Sequence, residues 1–246
     1  MSEIVTAGIL VIGDEILSGR TKDKNIGFIA EYLTNIGIDL KEVRVVSDDE
    51  AAIIEALDAL RARYTYVFTT GGIGPTHDDI TADSVAKAFG VKIDYHPDVV
   101  ARFRQRFSEA ELNEARLRMT RIPDGAELID SATILAPGFK IGNVIVMAGV
   151  PSIMQAMMDI ISPKLKSGAR MLSESVRANA REGDIGTPLR AIQAAHPETS
   201  IGSYPFTDED GKPNTNVVVR SRDAEKIHAA MVDVEAMLAN LKIAKS

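Results

Sequence analysis

The chain contains neither cysteine nor tryptophan, and each absence narrows what it can be. Without cysteine it forms no disulfide bond and no thiolate metal site, and a reducing cytoplasm is compatible with this composition. Without tryptophan, no aromatic cluster in the sequence marks a stacking site for a ligand ring. No apolar segment approaches the ~20 residues of a membrane helix, and no basic region followed by a long apolar stretch opens the chain. We therefore expect a cytoplasmic protein without a membrane partner.

An excess of basic residues is also lacking. The 246 residues include 35 acidic and 28 basic side chains, a formal charge of −7, which argues against nucleic acid as a partner. One concentration of arginines stands out, and the simplest interpretation is a solvated helix face, with contact to a second phosphate as the alternative. Its members are Arg102, Arg104, Arg106, Arg116, Arg118 and Arg121.

Apolar runs typical of buried strands alternate with segments of helical spacing. Ile4–Ile12, Leu40–Val46 and Tyr66–Phe68 read as strands, and Asn143–Met147 reads as another. Gly13–Lys24 is polar and is predicted to be a loop. This alternation predicts an α/β fold of three layers, with a mostly parallel sheet and helices on both faces. The methionines of the last strand and of the helical segment after it, Met147, Met154, Met157 and Met158, are predicted to pack in the core.

The composition changes near Ser162–Gly168. Beyond it the pattern predicts a helix, a strand, a turn, a second strand and a final helix. We therefore expect two domains, residues 1–168 and a small α+β C-terminal module at residues 169–246, with the order α-β-β-α.

Three glycines, Gly71, Gly72 and Gly74, lie between a buried strand and a helix predicted to start near Asp83. Glycine lets backbone N–H groups approach an anion, and a helix N-terminus adds partial positive charge. The alternative is a tight turn that needs positive φ angles. In the same loop, Thr76 could bind a phosphate oxygen or serve as a local cap.

Carboxylates follow the predicted strands at the edge of the sheet where ligands collect. Asp78 and Asp79 beside a phosphate-binding loop point to a phosphate that arrives with a divalent metal such as Mg²⁺, Mn²⁺ or Co²⁺, and helix capping is the alternative. Asp48 is either a helix cap or a functional acid. Asp14 lies in a solvated loop or at the ligand, and Asn25 is a cap or a ligand contact.

Several short motifs follow one another along the chain in a recognisable order. They are Gly13–Gly19, Asn25, Val46–Asp49, Thr70–Thr81, Asn113, Pro123–Gly125, Ala136–Phe139 and Gly149–Ser152, with Ile201–Pro205 in the C-terminal module. In this order the motifs resemble the molybdopterin-binding domain family (the MoaB and Mog proteins). The resemblance is strongest to the N-terminal domains of CinA proteins and of FAD synthases.

The resemblance implies functions and residue roles. Mog-type proteins bind molybdopterin and adenylylate it with acids that correspond here to Asp48 and Asp79, whereas the CinA and FAD synthase domains look like metal-dependent pyrophosphatases. We expect hydrolysis of a dinucleotide pyrophosphate such as FAD or ADP-ribose, with Asp79 and Asp78 as metal ligands. Molybdopterin chemistry and a non-catalytic nucleotide sensor or scaffold are the alternatives. Gly149, Pro151 and Ser152 are expected to bind the ligand, and family members commonly form dimers or trimers.

Overall fold

The computed structural model describes residues 3–131 and 134–244, and the chain divides into two compact units, Met1–Gly168 and Ala169–Ser246. Across the described residues, none of the helices combines the length and apolar character that crossing a membrane requires. Each unit has a hydrophobic core of its own.

The first unit alternates strands with helices along most of its length. In chain order its elements are β1 (Val5–Ile12), α1 (Asp14–Leu17), α2 (Asn25–Asn35), β2 (Ile38–Val46), α3 (Glu50–Arg63), β3 (Tyr66–Thr70), α4 (Thr81–Phe89), β4 (Ile93–Tyr95), α5 (Pro97–Arg106), α6 (Glu114–Arg118), β5 (Arg121–Pro123), β6 (Glu127–Ile129), β7 (Gly138–Ile141), β8 (Val144–Met147) and α7 (Pro151–Ile161), followed by a 3₁₀ turn, Ser162–Lys164.

In the described part of this unit, six strands form one sheet in the order β2-β1-β3-β8-β7-β6. The first four run parallel, and β7 and β6 are antiparallel to their neighbours. β1 and β3 lie in the middle and are buried almost throughout, which explains their continuous apolar sequences. The predicted mostly parallel sheet is confirmed.

Helices cover both faces of this sheet. On one face, α2 and α7 pack through Ile29, Leu33, Met154 and Met157. On the other, α3 and α4 pack through side chains that include Leu57 and Val85. The three-layer α/β prediction is therefore confirmed, and so is core packing of the methionines, since Met147, Met154, Met157 and Met158 are fully buried.

Two local features differ from the sequence prediction. The segment after β1 begins with the short helix α1, where a loop over Gly13–Lys24 was expected; Gly13 O accepts the N–H groups of Ile16 and Leu17. A separate two-stranded sheet joins β4 to β5. Its strands have three residues each, too few to produce a periodic pattern in the sequence.

The second unit is a small α+β module, as predicted. Its elements are β9 (Leu172–Arg177), α8 (Glu182–Ala195), β10 (Ser200–Thr207), β11 (Pro213–Ser221) and α9 (Ala224–Ala244). The strands form an antiparallel sheet in the order β10-β11-β9. The four predicted elements follow one another as α8, β10, β11 and α9, and one further strand, β9, which the sequence did not predict, precedes them. β9 is almost wholly exposed, so its sequence lacks the apolar alternation that reveals a half-buried strand.

Candidate functional site

The parallel strands of the first unit end at one edge of the sheet, and their following loops meet there. The loops begin at Gly13, Ser47, Gly71 and Ala148. Between the last two lies a cleft of about 590 Å³ whose lining also includes Glu15, from the loop after β1. This is the edge at which ligands of parallel α/β sheets bind.

The glycines of the loop after β3 are required for different reasons. Gly71 has a φ of 104°, and a Cβ there would lie 2.1 Å from the carbonyl oxygen of Ile12 on β1. Gly72 has a φ of 68°, and its Cβ would lie 2.1 Å from Thr81 Oγ1. Both positions therefore exclude any side chain, as the tight-turn interpretation requires.

Gly74 is not among the described residues with a positive φ. Glycine is therefore needed there for space and not for backbone conformation. A Cβ at Gly74 would come within 2.6 Å of Asp79 Oδ2. The same oxygen accepts a hydrogen bond from the Thr76 backbone N–H at 2.8 Å and another from the Thr76 hydroxyl. Glycine at position 74 thus leaves space for a carboxylate that is held by the turn following it.

Neither aspartate of the pair caps the next helix. Helix α4 begins at Thr81 behind Ile80, and no side chain described in the structure caps its first turn. The capping alternative for Asp78 and Asp79 is therefore wrong. Asp79 is half-buried and lines the cleft, whereas Asp78 is exposed.

Asp48 and Asp49 divide the two roles that the sequence left open. Asp49 caps α3 by accepting the N–H of Ala52 at 2.9 Å. Asp48 instead accepts the N–H of Asp14 at 2.9 Å, which joins the loops after β1 and β2. Partial burial raises the pKa of Asp48, the Asp14 N–H lowers it, and the carboxylates of Asp14, Glu15 and Asp78 raise it further. These negative charges therefore lie near one another.

We expect Asp48→Asn to stabilise the metal-free protein slightly at neutral pH. Folding raises the pKa of Asp48 above its unfolded value, so the protonated side chain favours the folded state. This contribution to the free energy of unfolding is fully present below about pH 3.9 and is lost as the pH rises through the folded pKa. Asparagine keeps an oxygen for the Asp14 N–H and carries no charge. Solvent screening limits the gain to about 0.5 kcal/mol. Urea unfolding in EDTA between about pH 3 and pH 7 measures it, and a variant less stable than wild type at pH 7 would contradict it.

Asn25 is buried and connects two of the converging loops. Its Nδ2 donates to Thr70 Oγ1 at 2.7 Å and to the Gly149 carbonyl at 2.8 Å. Its Oδ1 is buried and has no hydrogen-bond partner among the described residues. The side chain does not cap α2, since Asp23 accepts the first N–H groups of that helix, those of Asn25 and Ile26. The Gly149 carbonyl can only accept, so it fixes the amide orientation and leaves Oδ1 as an acceptor.

Asn25 also lines a cavity of about 230 Å³, which shares Glu15, Gly71, Gly149 and Pro151 with the cleft. Pro151 is the first residue of α7, where a missing N–H costs nothing. Among the predicted ligand contacts, Ser152 is exposed and lies outside the described lining of both spaces. Its assignment as a ligand contact stays a prediction.

Two arginines of the basic concentration also lie beside Asp79, where the simpler interpretation placed them on a solvated face. Arg118 and Arg121 line a narrow space together with Gly72, Gly74 and Asp79. Arg121 makes a two-point ion pair with Asp83, with distances of 2.7 and 2.9 Å. The concentration of arginines in the sequence gave contact with a phosphate as one alternative for this segment, but the spacing alone could not show that Arg118 and Arg121 are the two beside Asp79.

The carboxylates provide suitable ligands for a divalent ion, although not an enclosed site. Among the described residues, no group of three or more His, Asp and Glu side chains is arranged to hold a metal. Mg²⁺ is usually held by one or two carboxylates together with substrate phosphates and water. Burial and then the neighbouring carboxylates raise the pKa of Asp48, so several negative charges lie close together at this edge. The donor set therefore fits a cation that arrives with a phosphate.

Comparison with known proteins decides the family of the first unit. A family model described as "Probable molybdopterin binding domain" matches residues 8–167. The chain belongs to the molybdopterin-binding domain family. Residues 170–246 match a second model, described as the middle domain of FAD synthase, so both matches follow the order that the resemblance in the sequence indicated.

Relatives of this molybdopterin-binding domain protein include chains of similar and of double length. A protein of Archaeoglobus fulgidus is 33% identical over 94% of this chain and 96% of its own. The "Probable FAD synthase" of Caenorhabditis briggsae is 27% identical over 95% of this chain and 49% of its own, so our chain spans about half of that protein. The crystal structure of CinA from Thermoplasma acidophilum, a protein of unknown function, superposes with a TM-score of 0.62 at 32% identity, covering 65% of this chain and 98% of that one.

Proposed function

We propose that this protein is a divalent-metal-dependent hydrolase of dinucleotide pyrophosphates of the FAD or ADP-ribose class. The observation that carries the proposal is the glycine loop Gly71–Gly74, which lines one cleft together with the carboxylates of Asp79 and Glu15 and with Gly149. A pyrophosphate needs close backbone N–H groups, and its hydrolysis needs an acid or a metal ligand beside them. The match of residues 170–246 to a domain of FAD synthase supports a flavin nucleotide as one substrate.

The residues of this chain would bind the phosphates, hold the cation and position the attacking water. The backbone of Gly71–Gly74 would bind the phosphates through its N–H groups. Asp79, held by Thr76, and Asp78 provide carboxylate oxygens for the cation, and Asp48 orients or accepts a proton from the attacking water. A bound divalent ion supplies charge neutralisation and lowers the pKa of a bound water.

The proposed reaction consumes one water molecule. The water oxygen bonds to one phosphorus atom, the bond from that phosphorus to the bridging oxygen breaks, and a proton is released. FAD would yield FMN and AMP, and ADP-ribose would yield AMP and ribose 5-phosphate.

The direct test incubates the purified protein with FAD or ADP-ribose and with Mg²⁺, Mn²⁺ or Co²⁺, and measures AMP by chromatography. We expect AMP release that depends on the metal and stops in EDTA. AMP no more abundant than in protein-free controls, with every metal, would reject hydrolysis.

The second candidate is molybdopterin binding or adenylylation, which the description of the matching family model favours. The same loop would hold the terminal phosphate of the pterin. A deletion strain with reduced molybdoenzyme activity, restored by the gene, would support this role. Tight nucleotide binding without turnover would instead favour the sensor or scaffold alternative. Light scattering of the same preparation tests the proposed dimer or trimer.

A further inference from the structure

A second cavity borders the turn that follows the glycine loop. Its volume is about 500 Å³, and its lining includes Pro75, Thr76, His77, Tyr95, Arg118 and Arg121. The main cleft shares Pro75 with it and is also lined by Gly74 and Asp79. The turn Pro75–Asp79 therefore borders two spaces, the cleft and what we call the outer cavity.

The outer cavity is connected to the glycine loop through its arginines. Arg118 Nε donates to the backbone carbonyl of Asp79 at 3.3 Å. Arg118 and Arg121 also line the narrow space that touches Gly72 and Gly74. A group held by these arginines would thus be next to a phosphate on the glycine loop.

The charge of this wall suits a phosphate. Arg118 and Arg121 share the carboxylate of Asp83, so two positive charges face one negative charge. Each guanidinium has five N–H donors, and this planar group binds phosphate oxygens well. The lining also contains one carboxylate, that of Glu114, an exposed residue at the start of α6.

Tyr95 gives the cavity an aromatic surface. Its side chain is 46% exposed, although aromatic residues usually bury most of their ring. It is paired on β4 with Arg121 of β5, so the two side chains leave this sheet on the same face, and both line the cavity. Stacking on such a ring is a general way to bind a heterocyclic base.

We propose that the outer cavity binds one nucleoside end of a dinucleotide, with its heterocycle stacked on Tyr95 and its phosphate beside Arg118 and Arg121. The other nucleoside end then occupies the cleft on the Gly149 side, with the pyrophosphate over the glycine loop. This inference rests on the proposed hydrolase function and specifies its substrate class. A dinucleotide has two ring-bearing ends to fill the two spaces, whereas a pterin phosphate has one.

The test compares four ligands by calorimetric titration with Ca²⁺ in place of the catalytic metals: FAD, ADP-ribose, AMP and FMN. Wild type should bind FAD more tightly than either mononucleotide. Tyr95→Ala should weaken FAD about 10-fold or more, and should weaken AMP or FMN, but not both. Tyr95→Phe, which retains the ring, should restore binding.

The charged wall is tested in the same way. Arg118→Gln should weaken FAD and the mononucleotide that depends on Tyr95, whereas Arg104→Gln, an exposed arginine of α5, should change neither. Thermal unfolding of each variant checks that the fold is intact. Equal weakening of AMP and FMN, unchanged binding of FAD, or no FAD binding by the wild type would each overturn the inference.

The outcomes separate this inference from the proposed function. If the wild type hydrolyses FAD and Tyr95→Ala leaves KM unchanged, the outer cavity is not a nucleoside site, but the hydrolase proposal survives. If no AMP is released with any metal, hydrolysis fails, while selective loss of one mononucleotide in Tyr95→Ala would still establish the nucleoside site.

Discussion

Replacing Asp79 with asparagine is expected to lower metal-dependent release of AMP from FAD by about 100-fold or more, the lower end of what loss of a catalytic acid, base or metal ligand costs. The variant should fold normally. Asparagine retains an oxygen that can accept the N–H of Thr76, which lies 2.8 Å from Asp79 Oδ2 in the wild type. The change therefore removes the charge while keeping the turn Pro75–Asp79.

The matched control is Asp124→Asn, because Asp124 is an exposed aspartate of a surface turn. Asp124→Asn should unfold within about 0.5 kcal/mol of wild type, as surface substitutions usually do, and Asp79→Asn, at a half-buried carboxylate with two hydrogen bonds, within about 1.5 kcal/mol. Initial rates at saturating FAD and Mg²⁺ measure the effect. If Asp79→Asn kept a third or more of the wild-type rate, Asp79 would have no essential part in the reaction.

The second large effect concerns stability. Gly71→Ala is expected to cost about 2–6 kcal/mol, the sum of a strained positive φ and of overpacking against a backbone atom. The added Cβ would meet the Ile12 carbonyl at 2.1 Å, and β1, which lies between β2 and β3, cannot move away without disturbing its pairing with them. Since domains are stable by about 5–15 kcal/mol, this loss would remove a large share of the protein's stability.

Two other glycines distinguish the effect of the contact with Ile12 from that of backbone strain alone. Gly90 ends α4 with a φ of 66°, and no described atom lies within 4 Å of its added Cβ, so Gly90→Ala should cost only about 1–2 kcal/mol of backbone strain. Gly27 lies inside α2 with equally open surroundings, and Gly27→Ala should stabilise by about 0.5–1 kcal/mol. Urea unfolding gives the three values. A cost at Gly71 no greater than at Gly90 would rule out the close contact with Ile12.

Local sequence patterns determined most of the first unit. Continuous apolar runs predicted β1, β3 and β8, because a strand buried on both faces needs apolar residues at every position. Helical spacing predicted α2, α3 and α7 for a related reason, since one apolar stripe of each helix must face the sheet.

In the second unit, the sequence did not predict β9, because an exposed strand carries no such apolar pattern. Its position is set by pairing with β11.

The sequence by itself identified a glycine loop, carboxylates after the strands and a family. What it could not decide was which of two adjacent acids caps a helix and which one connects the loops after β1 and β2. Asp48 and Asp49 have the same side chain. Only the folded chain brings together the loops after β1 and β2, so that the Asp14 N–H donates to Asp48. Likewise Gly74 resembles Gly71 in sequence, yet one leaves room for Asp79 and the other avoids Ile12.

The outer cavity depends on tertiary structure alone. Tyr95 and Arg121 are separated by α5 and α6 in the chain and become neighbours through the pairing of β4 with β5. No local pattern encodes that pairing, because each of these strands has three residues and the contact is set by packing of distant segments. The sequence therefore identified functional groups that single residues or short motifs provide. A site that needs two residues distant in the chain, such as Tyr95 and Arg121, was decided by the fold.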